Sequence, residues 1–299
     1  MEQKEEDLDR FEKVLAATVD YVGKEPIVLT YLEQYFTPQP ASLANDLDQR
    51  LHLLAERLGG PPRLIIRGKD EPKPRYDAYP AAAMHEVISM FHRAKRSVTR
   101  AQMSLIGCSL LREKPEVISI PPEGCVRAAF LNEFESAFWE LAEIVYIRLA
   151  SYGDRAGQLL DFAFFGIRQF EREGFTAIVD RVQNNLVDVD TVLRALPAWK
   201  SLRAFQTSEQ VDGLKWLLRR RNLLVHRLYL RPIHEPEGQE VFDSEFNHID
   251  EVLRKKLAPG TPPEELDRMH RQLQKAAELF PSVIELCEHT ANVRHNRGG

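Results

Sequence analysis

The sequence predicts an all-α protein, a helical bundle with an N-terminal helical extension. Three observations lead there. Apolar residues recur three and four positions apart through most of the 299 residues, the period that lines one side of a helix. Strand-like segments are scarce, and the best of them, Arg63 to Arg67 around Leu64-Ile65-Ile66, is too short to imply a sheet. The chain is 43% hydrophobic and long enough to bury a sizeable core.

Glu5 to Tyr21 is predicted helical, with Leu8, Phe11, Leu15, Val19 and Val22 at helical spacing and acids in the first turns, where they suit the helix dipole. Ile27 to Phe36, between Pro26 and Pro38, reads as a second, short helix. Ser42 caps a third, running to Leu58 on Leu43, Leu47, Leu51 and Leu54 and stopped by Gly59-Gly60-Pro61-Pro62. Gly68 to Pro80 is rich in Lys, Asp, Pro and Tyr and reads as an exposed linker. Residues 1–75 are therefore expected to be an accessory helical region packed on a main helical domain at 76–299.

Ala81 to Leu111 is a long helix with Met84, Val87, Ile88, Phe91, Val98 and Leu105 inward and His92, Arg93, Lys95, Arg96 and Arg100 on a solvated face. Pro115 to Pro122 is extended. Glu123 to Ser151 is the central core helix, on Phe130, Phe134, Phe138, Leu141, Val145 and Leu149. It also carries Glu133, Glu135, Glu140 and Glu143, any one of which can serve a cleft beside it. Ala156 to Glu173 is apolar on most sides and reads as a buried helix broken by Gly174. Thr176 to Leu186 and Asp190 to Leu196 are shorter helices, and Pro197 opens another through Trp199, Leu202 and Phe205. Arg231 to Asn247 is a loop with room for a short strand at Glu240 to Phe242. The last helix starts at Pro262 or Pro263, runs on Leu266, Met269, Leu273, Ala276, Ala277 and Phe280, and bends at Pro281.

The net charge of −5 excludes a broad basic face for duplex binding but leaves room for a local basic cleft. Cys108, Cys125 and Cys287 are widely spaced and read as buried thiols in a reducing compartment. The first ten residues are too charged for a signal peptide, and no run reaches membrane-spanning length. A cytoplasmic protein without membrane contact is expected. Cys287, His289 and His295, with Glu285 and Glu288, do not match a zinc pattern, so neither metal nor cofactor is assigned. There is no phosphate-cradling Gly-rich loop and no Gly-x-Ser-x-Gly elbow.

The most informative stretch is Arg219-Arg220-Arg221-Asn222-Leu223-Leu224-Val225-His226-Arg227. It lies in a run, Thr207 to Leu230, that reads as one helix, with Ser208 as N-cap, Glu209 in the first turn and Pro232 beyond the end. At about 100° per residue, Leu214, Leu217, Leu218, Leu224, Val225 and Leu228 form one stripe with Arg221 in its middle. An arginine there requires a partner or a cleft. The flank carries Lys215, Arg219, Asn222, His226 and Tyr229, a wall suited to holding a phosphate and titrating near neutral pH.

Arg221-Asn222-Leu223-Leu224-Val225-His226 resembles the signature of HEPN domains, an Arg, a polar residue and a His, with four to six residues between Arg and His; here there are four. The resemblance implies an all-helical bundle that dimerises through the motif helix. It also implies a metal-independent RNA endonuclease, in toxin, abortive-infection or other defence systems, with an antitoxin or regulatory partner. Other members of that family act only as interaction modules.

The chemistry fits the residues. A ribose 2′-hydroxyl attacks the neighbouring phosphorus, a base takes its proton, an acid protonates the departing 5′-oxygen, and a cation steadies the added charge. His226 can be base or acid, Arg221 can grip the phosphate, and Asn222 can orient either. Lys215, Arg219, Arg220, Arg227 and Tyr229 are expected RNA contacts. One chain supplies one such histidine, whereas the reaction profits from two proton-transfer groups, so a homodimer pairing the motif helices is expected.

Overall fold

The computed structural model describes residues 2–35, 41–43, 47–59, 78–114, 124–167, 174–226, 251–252 and 258–296. Among these every regular element is a helix and no strand occurs, as the spacing predicts. The expected extended segments at 63–67, 115–122 and 240–242 lie outside the described residues. No helix of the described residues is long and apolar enough to cross a membrane.

The chain divides into two compact units, residues 1–40 and 41–299. The first holds one helix, α1 (Glu2–Tyr35). The expected break at Pro26 is absent. A proline inside a helix forfeits one backbone bond, and the chain stays helical on either side, with the Thr30 hydroxyl donating to the Pro26 carbonyl at 2.8 Å.

The second unit starts before the expected boundary near residue 75, because α2 (Leu47–Leu58) packs with the main bundle. Leu47, Leu51, Leu54 and Leu58 are buried. Arg50 grips Glu288 of the last helix through two bonds, at 3.0 and 2.7 Å. Ser42 does not cap α2, since residue 43 is not helical; its hydroxyl instead accepts from Lys95.

The scaffold is an antiparallel pair, α3 (Tyr79–Glu113) and α4 (Gly124–Phe165). Three contacts fix the register: Phe134 lies on Gly107, Phe91 meets Tyr152 at 6.1 Å, and Tyr79 meets Phe162 at 4.8 Å. The two helices expected at 123–151 and 156–173 are one. Gly153 and Gly157 sit inside it, and at Gly157 the reason is a close approach: a Cβ there would lie 2.9 Å from the Phe175 Cα. The helix ends at Gly166, not at Gly174. Gly166 takes a left-handed φ of 72°, and its N–H donates back to Phe162 at 2.9 Å.

Shorter helices wrap the second half of α4. α5 (Phe175–Val182) runs into a π turn at Gln183–Val187. α6 (Thr191–Ala195) is capped by Asp190, which accepts from the Leu193 N–H at 2.8 Å. Then come α7 (Pro197–Thr207) and α8 (Leu214–His226), and α9 (Pro262–Asn296) closes the bundle. Tyr152 donates to the Ala276 carbonyl at 2.8 Å, tying α4 to α9 inside the core.

The motif run is not one helix from Thr207. Ser208 ends α7 and starts a tight corner: the Gln210 N–H donates to its hydroxyl at 3.2 Å and the Lys215 N–H to its carbonyl at 3.2 Å. Gly213 makes that corner feasible, because a Cβ on it would meet the Ser208 carbonyl oxygen at 2.4 Å. The Gln272 side chain of α9 also donates to the Val211 carbonyl and, at 3.2 Å, to that of Gly213. Gly213→Ala is therefore expected to lower stability by about 1–3 kcal/mol, the usual cost of overpacking. An unchanged urea midpoint would show that the corner has slack.

Candidate functional site

α8 forms because leucines and a tryptophan repeat at helical spacing after the Gly213 corner. Its buried positions are Leu214, Trp216, Leu217 and Arg220, with Leu218, Leu223 and Leu224 half-buried. This face is rotated by roughly 70° from the stripe read in the sequence. Trp216 causes the shift, packing edge-on against Tyr146 of α4 at 5.5 Å. Arg220, not Arg221, thus lies at the centre of the buried face.

Arg220 is 1% exposed, so it does not track an RNA backbone as the sequence suggested. Its Nη2 donates to Glu265 Oε1 at 2.6 Å, and the Tyr146 hydroxyl donates to the same oxygen at 2.6 Å. Arg268 and the Gly260 N–H reach Oε2 at 2.9 and 3.2 Å. The Arg220 guanidinium also lies 5.6 Å from the centres of both the Tyr146 and the Trp216 rings. Burial pushes the Glu265 carboxyl toward its neutral form, but Arg220, the Tyr146 hydroxyl and Arg268 outweigh it and hold its pKa below the ordinary value. Burial, and then the Glu265 charge, keep the Tyr146 hydroxyl protonated. The cluster pins α8 to α4 and α9 and fixes which way the rest of the motif faces.

On the opposite side of α8, Lys215 and Asn222 are exposed among the described residues. Asn222 lies one turn before His226, the last residue of the helix. The side chain of His226, and all of Arg227 and Tyr229, lie outside the described residues. Lys215 and Arg219 are not a bare cation row: both reach Glu209 Oε1, at 3.5 and 3.3 Å. The two cations hold the Glu209 pKa down, Arg219 the more strongly.

Arg221 is half-buried at the edge of this side. The acid of α4 beside it is Asp154. Burial raises the Asp154 pKa, while the Phe175 N–H, Arg221 and Arg155 each pull it back. Asp154 accepts from the Phe175 N–H at 3.3 Å and so holds the start of α5 as well. Of the glutamates considered from sequence, Glu135 bonds Arg112 near the far end of the α3–α4 pair. The sequence alone does not single out Asp154, because it falls between the two helices that the spacing predicts at 123–151 and 156–173. The available signal was Gly153-Asp154-Arg155, a polar triplet flanked by glycine within an apolar run.

Cys287, Glu288 and His289 diverge: the thiol is in the core, Glu288 meets Arg50, and His289 meets Asp190 at 3.1 Å. Among the described residues no three His, Cys, Asp or Glu gather as a metal site. Comparison with protein-family models, with curated proteins and with solved structures finds no match in any of the three. The HEPN resemblance therefore rests on the motif residues alone.

Proposed function

We propose that the chain is a metal-independent RNA endonuclease of HEPN type, acting as a homodimer in which two motif helices share one site, and that it serves as a defence or toxin effector. The observation that carries this reading is the division of labour between adjacent arginines. Arg220 locks the helix into the core, which leaves Arg221 at the edge and Asn222 in solvent, on the helix that ends in His226. A helix anchored in the core that carries a cation, an amide and an imidazole in its last two turns suits phosphate chemistry better than packing.

In this mechanism Arg221 holds the scissile phosphate and Asn222 orients it. One His226 takes the 2′-hydroxyl proton, and the partner subunit's copy delivers a proton to the departing 5′-oxygen. The O–P bond formed by the 2′-oxygen replaces the bond lost to the 5′-oxygen, leaving a 2′,3′-cyclic phosphate and a 5′-hydroxyl. Arg221 and His226 lie about 140° apart on the helix, which suits an arginine serving across the dimer axis.

The test is incubation of the purified chain with mixed-sequence RNA in EDTA, followed by analysis of the new ends. Cleavage leaving cyclic phosphates supports the proposal. Metal-dependent cleavage leaving 5′-phosphates counts against it. A second reading, a non-catalytic interaction module of the same kind, is favoured by one observation: Glu209 holds two expected RNA contacts and the core holds a third, Arg220. Absence of cleavage of any RNA by the wild-type chain is the result that reading predicts.

A further inference from the structure

α3 carries a run of cations, and α4 adds one more beside it. Arg148 of α4 reaches across to α3, where its Nη1 donates to the Arg93 carbonyl at 3.0 Å and to the Ser97 hydroxyl. The Ser97 hydroxyl donates to the same carbonyl at 3.1 Å. The guanidinium is thereby fixed between Arg93 and Arg100, which lie two turns and about 10 Å apart on α3. Three cations converge on that short stretch, all within the second unit.

Arg148 is half-buried, and among the described residues neither it nor exposed Arg93 is paired with a carboxylate. Burial, then the charges of Arg100 and Arg93, pull the Arg148 pKa below its ordinary value. Arg271, bonded to Asp267, is shifted the other way. Arg96 and Arg100 are engaged in contacts of their own, so Arg93 and Arg148 are the cations left for a ligand. The Nε and Nη2 edge of Arg148 makes no bond and is not sealed in protein. That edge is the fork that grips a phosphate at two points. Because Nη1 is already anchored, little side-chain freedom is lost on binding.

The position of Arg148 on α4 ties it to the α8 site. It lies between Tyr146, which meets Glu265 with Arg220, and Asp154, beside Arg221. Arg148 and Asp154 are about 120° and about 9 Å apart on the helix. The face of α4 between them carries Ile144, Ile147 and Ser151, none of them charged.

We propose that Arg93 and Arg148 form a phosphate site in the α3–α4 groove, and that a single RNA strand running over α4 places one backbone phosphate there and another at Arg221. A single strand suits it better than a duplex, since the cations are local and the chain as a whole carries −5. The phosphate site stands on its own geometry; the choice of RNA rests on the function proposed above.

The test reads binding without cleavage. The full chain is titrated against a fluorescent single strand of 2′-O-methyl RNA, which lacks the free 2′-hydroxyl that cleavage requires, and anisotropy is recorded. Arg148→Gln and Arg93→Gln are each expected to weaken binding about tenfold. Each should also shrink the slope of log Kd against log salt by about 0.7, the share of one phosphate contact on a single strand. Arg148→Lys keeps the charge without the fork, and should keep the slope while binding several-fold more weakly. Arg93→Gln alters an exposed side chain and leaves the backbone carbonyl that holds Arg148, so it reads the site without loosening the helix pair. Unchanged affinity and slope in both Gln variants overturn the proposal, and so does failure of the wild type to bind the strand. Displacement of the strand by micromolar inorganic phosphate overturns it as well, by assigning the site to a small free phosphate compound. A chain that binds the strand as expected but cuts no RNA supports this site and sinks the nuclease reading alone.

Discussion

Glu265→Ala is expected to destabilise the second unit by about 3–5 kcal/mol, the range for breaking a buried charge pair from one side. Glu265 is fully buried and accepts from Tyr146, Arg220, Arg268 and the Gly260 backbone. Its removal takes the buried carboxylate away from the Arg220 guanidinium and the acceptor away from the Tyr146 hydroxyl. Removing both charges is expected to cost less: Glu265→Leu combined with Arg220→Met should recover much of the loss, since a buried pair removed together costs less than one broken from one side. Urea unfolding of the three proteins tests this, and equal losses in the single and double variants would refute the coupling. The pH dependence follows from the depressed Glu265 pKa. A carboxyl that is more acidic folded than unfolded contributes its full stability above the unfolded glutamate value of about 4.3, and loses it as pH falls through the folded value. The gap in stability between wild type and Glu265→Gln should therefore narrow on acidification.

His226→Ala is expected to reduce RNA cleavage by about 100- to 10,000-fold, the usual share of a proton-transfer group. Arg221→Ala should cost about as much, since the two arginines before it are engaged elsewhere: Arg220 is in the core, and Arg219 is bonded to Glu209. The informative contrast is between adjacent residues. Arg220→Ala should lose activity because α8 loses its anchor, with a large fall in unfolding midpoint. Arg221→Ala should lose activity with a much smaller loss of stability, about 1 kcal/mol, since Arg221 is half-buried beside Asp154 and not in the core. Two imidazoles in opposite protonation states imply a bell-shaped pH profile for the wild type. Cleavage in EDTA that persists undiminished in both His226→Ala and Arg221→Ala would remove the motif from the mechanism.

Helices were legible wherever apolar spacing was strong. Met84, Val87, Phe91 and Val98 of α3 are buried as read, and so are Met269, Leu273, Ala276 and Phe280 of α9. Breaks were read less well, because glycine and proline punctuate only when nothing overrides them. α4 runs through Gly153 and Gly157 since α5 crosses so close that Gly157 must lack a side chain, and α1 runs through Pro26. Conversely, the corner before α8 was hidden behind Ser208 and Glu209, which imitate a helix start.

The sequence by itself determined that this is a helical protein and drew attention to one short row of Arg, Asn and His, because period and residue type are local properties. Only the tertiary structure decided which arginine of three faces the core. That choice depends on Tyr146, Trp216 and Glu265, contributed by three different helices. Burial of a guanidinium is set by whether remote donors and acceptors converge on it, and helical period alone carries no information about remote partners.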